Sequence, residues 1–168
     1  LNLWASRRDA QSVLPQLIRR LIHATVPRVL RIGFPAGEAV QMGGWDGILI
    51  VGGGNAFVPD GQSAWELGTT SGIKTKADQD YAKRVKDPLG VEPAETAFVF
   101  VTPRRWSGKE DWIAEKQAEG IWREVRAYDG GDLEAWLEQA PAVHIWFSIL
   151  VGKYPEGAFD LSTSWGEW

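Results

Sequence analysis

Ala97-Phe98-Val99-Phe100-Val101 is an unbroken apolar and aromatic run. A strand of that composition has no face to offer to water, so it predicts a central strand covered on both sides. The chain carries the helices for such a cover. Asp9 is placed to cap a helix to about Ala24, in which Val13, Leu14, Leu17, Ile18, Leu21 and Ile22 form a wide apolar stripe. Lys76 to Lys86 reads as a second helix, with Ala77, Tyr81, Ala82 and Val85 on its apolar face. Ser107 with Glu110 forms a capping-box pattern for a third, ending at Gly120. Asp132 caps a fourth through Leu137, and Pro141 opens a fifth with Val143, Ile145, Trp146, Ile149 and Leu150.

The remaining strands precede and follow that run. Arg28 to Phe34 alternates charged and apolar residues, as a half-buried strand does, and a run from Glu38 to Met42 follows it. Gly47-Ile48-Leu49-Ile50-Val51 is apolar enough for a buried strand. Gly52-Gly53-Gly54-Asn55 turns the chain, because Gly and Asn tolerate positive φ. Phe57 to Gly61 lies on the returning arm, where Pro59 marks an edge or a bulge, and Ser63 to Leu67 completes the hairpin. Trp122 to Tyr128 is a further short strand. The early strands are antiparallel and the later ones are joined through helices as parallel crossovers. The expected fold class is α/β, a mixed sheet with helices on both faces.

Folding the hairpin near residue 56 brings Asp46 beside Glu66. Two carboxylates side by side repel, and a divalent cation is the simplest counter-charge. Mg²⁺ or Mn²⁺ takes oxygen ligands and keeps several waters, so Asp46, Glu66 and a backbone carbonyl such as that of Leu67 suffice to hold it. Such an ion lowers the pKa of bound water and stabilises charge on a phosphate. Lys74 and Lys76 follow within reach, and an ammonium near the attacking water stabilises developing negative charge. Lys76 starts its helix and leans toward the helix N-terminus, the direction of Glu66. Lys83 and Arg84 lie about two turns on, beyond the metal but suited to backbone phosphates. Arg104 and Arg105 sit at the end of the central strand, where α/β sheets place ligand sites. The residue types point to metal-dependent cleavage of phosphodiester bonds in nucleic acid, with double-stranded DNA as the expected substrate. The alternative is a non-catalytic module that binds nucleic acid or a partner protein.

Composition removes competing chemistries. The 168 residues, 44% hydrophobic and 24% charged, describe one globular domain of ordinary size. There is no cysteine, which excludes disulfides and thiolate zinc sites, and cytoplasm is the default compartment. His23 and His144 are the two histidines, too few for a His-based metal cluster and far apart for a Ser-His-Asp triad. No apolar run reaches the length of a membrane span. Gly52-Gly53-Gly54 lacks the Lys-Ser/Thr of a phosphate-binding P-loop. Leu1 in place of Met is what a domain cut from a longer protein shows. The net charge of -4 does not advertise a nucleic-acid binder, although carboxylates that a metal neutralises contribute to it.

The order helix, strand, strand with Asp46, strand with Glu66, helix, strand resembles the core of the restriction-endonuclease-like, or PD-(D/E)XK, nucleases. The resemblance implies Asp46 and Glu66 as the motif acids. The motif lysine stands two residues after the Glu, and here that position is Gly68. Some members of that superfamily carry the lysine on the following helix, which implies Lys76, with Lys74 as a second candidate. The resemblance also implies a nuclease part of a larger prokaryotic defence or restriction protein. Cutting two strands implies two sites, hence a homodimer or larger assembly.

Overall fold

A computed structural model describes residues 1–35 and 44–153. Ten elements follow in order: α1 (Ala10–Thr25), β1 (Val29–Gly33), β2 (Gly47–Val51), β3 (Gly61–Leu67), α2 (Ile73–Lys86), β4 (Thr96–Val101), α3 (Lys109–Ala118), β5 (Glu124–Tyr128), α4 (Gly130–Glu138) and α5 (Pro141–Leu150). The five strands lie in one sheet in the order β1-β2-β3-β4-β5. β1, β2 and β3 pair antiparallel, and β3, β4 and β5 pair parallel. The fold is α/β with a mixed sheet, as expected. The run from Glu38 to Met42 falls outside the described residues. No described helix is long and apolar enough to cross a membrane.

β4 shows why the sheet needs two covers. All six of its residues are buried. Side chains alternate across a strand, so Val99 and Val101 point into one core and Phe98 and Phe100 into the other. The first core takes Leu14, Leu17, Ile18, Leu21 and Ile22 of α1, Leu133, Trp136 and Leu137 of α4, and Val143 and Phe147 of α5. The second takes Ala77 and Tyr81 of α2 and Trp112 of α3. Trp112 and Trp136 are thus core residues. Trp146 is only half-buried, packed against the first core.

The starts of three helices differ from the pattern reading. α2 opens at Ile73, with Gly72 before it, so Lys74 is helical rather than part of the connector. α3 opens at Lys109 behind Gly108, and no side chain caps it. The turn before it is held by Asp129, whose Oδ2 accepts from the Trp106 amide at 2.9 Å. The same Asp129, not Asp132, is the N-cap of α4. Its Oδ1 accepts from the amides of Gly131 and Asp132, while Asp132 Oδ2 accepts from the Asp129 amide. Asp132 is therefore the third helical residue of a capping box.

The returning arm of the hairpin begins at Gly61 rather than Phe57. Asn55 Oδ1 accepts from the amides of Phe57 and Val58 at 2.8 and 2.9 Å. Those donors are lost to the ladder, and Pro59 has none, so the chain loops until Gly61.

Candidate active site

The hairpin register sets the geometry. Gly47 pairs with Trp65. One residue further along an antiparallel pair, Asp46 faces Glu66. Both stand where β2 begins and β3 ends, at the carboxyl end of the parallel strands. Asp46 is fixed there, because its Oδ2 accepts from the Leu67 amide at 2.7 Å. Leu67, expected as a ligand through its carbonyl, contributes its N–H to holding Asp46.

α2 crosses the face of the sheet that carries Glu66. Lys76, Asp80 and Arg84 recur every four residues, so they share one side of that helix. The Lys76 ammonium donates to Asp80 Oδ1 at 2.6 Å. The Arg84 guanidinium donates through Nε to Glu66 Oε1 and through Nη2 to the Gly44 carbonyl. It also lies over the Trp45 ring, 4.6 Å from the centroid. Arg84 is 1% exposed and Glu66 4%. The arginine expected to face substrate phosphates is instead sealed inside the protein. It supplies a positive counter-charge to the two adjacent carboxylates, a role for which a divalent cation is the simplest expectation from the sequence.

Lys76 packs against Gly68. A Cβ built on Gly68 would stand 3.0 Å from the Phe100 ring and 3.1 Å from Cγ of Lys76. The stem of Lys76 therefore fills the space that a side chain at residue 68 would enter. Lys76 keeps a side-chain exposure of 34%. Lys74 turns elsewhere: it pairs with Asp78 at 2.8 Å and is 60% exposed.

Burial dominates the electrostatics of the cluster. It pushes the Glu66 carboxyl up to about 8, and the neighbouring Asp46 carboxylate adds to the rise, while the hydrogen bond and charge of Arg84 oppose it. Burial likewise raises Asp80 above the usual aspartate range, with Lys76 opposing and Asp46 adding to the rise. Asp80 is 5% exposed, and its Oδ2 is buried without a hydrogen-bond partner among the described residues. Three acids and two bases thus form one interacting group, although among the described residues no three His, Cys, Asp or Glu side chains are close enough together to hold a metal ion. The donor set still suits Mg²⁺, which needs only one or two carboxylates and fills its shell with water. Asp46 Oδ1 and Glu66 Oε2 accept no hydrogen bond from the described residues.

The other expected contacts are dispersed. Arg104 Nε donates to the Thr69 carbonyl at 2.7 Å and Nη2 to Ser6 Oγ at 3.2 Å, which ties the β3–α2 connector to the N-terminal segment. Arg105 pairs with Glu134 and stays 63% exposed. Lys83 is exposed on α2. Sequence reasoning passed over Asp80 and over the inward role of Arg84. The signal was present: both interrupt the apolar side of α2 defined by Ala77 and Tyr81, where charged residues are buried only with partners. No protein-family model, curated protein or solved structure matches this chain.

Proposed function

We propose that the chain is a metal-dependent endonuclease that hydrolyses phosphodiester bonds in nucleic acid, with DNA as the substrate. The supporting observation is the Lys76 stem lying across Gly68, with its ammonium held by Asp80, whose own charge is felt by Glu66 and which in turn feels Asp46. Asp46 Oδ1 and Glu66 Oε2 would hold Mg²⁺ or Mn²⁺, which when bound supplies a more acidic water and neutralises phosphate charge. Lys76 stabilises the negative charge that develops as the phosphate is attacked. Asp80 holds that ammonium in place, and Asp46 is itself held by the Leu67 amide. The restriction-endonuclease-like core belongs to the same reading.

The test is incubation with supercoiled plasmid in Mg²⁺ and in EDTA. Nicked or linear product in Mg²⁺ alone supports the assignment. Lys76→Ala is expected to lower the single-turnover rate by about a hundredfold, the scale of losing one fixed charge at a reacting centre, with little change in binding. Lys74→Ala is expected to cleave at the wild-type rate. The reverse result would assign the role to Lys74.

A second reading is a non-catalytic module of the same fold. The Arg84–Glu66 pair favours it, since the acid already has a positive partner. Wild-type protein that binds plasmid but leaves it intact in both Mg²⁺ and Mn²⁺ would establish that reading.

A further inference from the structure

The α1 stripe leaves Arg19, Arg20 and His23 exposed, and among the described residues β1 is an edge strand with Arg31 exposed. These four residues line one cleft of about 1140 Å³ together with Gly44 and Trp45. The next residue is Asp46. Among the described residues no carboxylate lines the cleft, and none of the three arginines forms an ion pair. That is a local excess of positive charge in a chain of net charge -4. Arg20 is already ordered, with its guanidinium stacked 4.3 Å from the centre of the Trp146 ring.

We propose that this cleft is a track for the sugar-phosphate backbone of nucleic acid, gripped by Arg19, Arg20 and Arg31, which leads the strand to Asp46. The proposal rests on the nuclease reading for where the track ends, but not for whether it binds. Guanidinium groups grip phosphates through paired N–H donors and without regard to base sequence. The grip is therefore expected to be sequence-independent and to weaken with salt as counterions are released. An acidic polypeptide would also meet positive charge here. Gly44 and Trp45, which line the cleft, lead in sequence to Asp46, and that favours the phosphodiester polymer.

Binding of a labelled DNA duplex of about 20 base pairs, and of one of its strands, is measured in EDTA by fluorescence anisotropy across a salt series. The double variant Arg19→Ala/Arg31→Ala changes only exposed side chains, and an unchanged thermal midpoint verifies its fold. It is expected to bind at least about tenfold more weakly near 0.1 M salt, with the slope of log K against log salt smaller by about 2. Equal affinity and slope for the double variant and wild type would overturn the proposal, as would wild-type protein binding neither probe. Polyglutamate displacing the duplex as well as unlabelled duplex does would assign the cleft to an acidic polypeptide instead. Binding that depends on the arginines in a protein that never cleaves would retire the nuclease reading and leave the track standing. Cleavage with arginine-independent binding would do the opposite.

Discussion

Asp46→Asn is expected to lower Mg²⁺-dependent plasmid cleavage about a thousandfold or more, with the fold retained. Several kcal/mol of charge stabilisation at the reacting phosphate depends on the ion this carboxylate would hold, and about 4 kcal/mol corresponds to that factor. Asn is the informative substitution because Asp46 has two duties. Its Oδ2 accepts from the Leu67 amide. The side-chain carbonyl of Asn can still accept that bond, whereas Ala would leave the N–H without its partner. Single-turnover cleavage and thermal denaturation of the same preparation separate the two effects. Undiminished cleavage by Asp46→Asn would remove the residue from the site. A collapsed midpoint would make it structural.

Arg84→Met is expected to destabilise the protein by about 3 kcal/mol at pH 9, the lower end of what breaking a buried ion pair costs. For a domain of this size that lowers the midpoint by roughly 6–12 °C. The variant loses the partner of Glu66, the donor to the Gly44 carbonyl and the stack on Trp45 together. The effect should depend on pH in a stated direction. Glu66 is raised to about 8 in the folded protein, from an ordinary 4.5. Between those values the folded state holds a proton that the unfolded state has released, so stability falls as pH rises. Wild-type protein stops losing stability through this group near pH 8, where Glu66 ionises beside Arg84. Without Arg84 the carboxyl is raised further, and the loss continues above pH 8 at up to about 1.4 kcal/mol per pH unit. The deficit of the variant should therefore widen by about 1 kcal/mol from pH 7 to pH 9. Denaturant melts at the two pH values measure it. A deficit that narrows toward pH 9 would mean that Arg84 does not stabilise the ionised carboxylate.

The same residues explain what was legible in the chain and what was not. The apposition of Asp46 and Glu66 could be read because strand periodicity leaves little choice of register: a slip of one residue would turn Leu49 and Trp65 away from the core that buries them. The two-sided burial of β4 followed from a run with no polar face. The residue pattern puts Arg84 with Lys83 as a contact for backbone phosphates, because the chain alone does not show which partners could bury a guanidinium. Its place depends on the tilt of α2 over the sheet, which brings its guanidinium to Glu66 and Gly44, far away in sequence. The hairpin loop was hidden for a similar reason. A single Asn55 side chain competes with the ladder for two amides, and that is local chemistry which apolar patterning does not register. The cleft was invisible because Arg19 and Arg20 on α1 and Arg31 on β1 converge only once the edge strand is packed.

The central claim is that Asp46 and Glu66 share one divalent cation. Titration of the protein with Mn²⁺, read by electron paramagnetic resonance without nucleic acid, tests it directly. The account predicts one bound Mn²⁺ per chain, with affinity falling at least about tenfold in Asp46→Asn and in Glu66→Gln, since each removes one of two carboxylate ligands. Wild-type protein that binds no Mn²⁺ at millimolar concentration, or two variants that bind it as tightly as wild type, would contradict it.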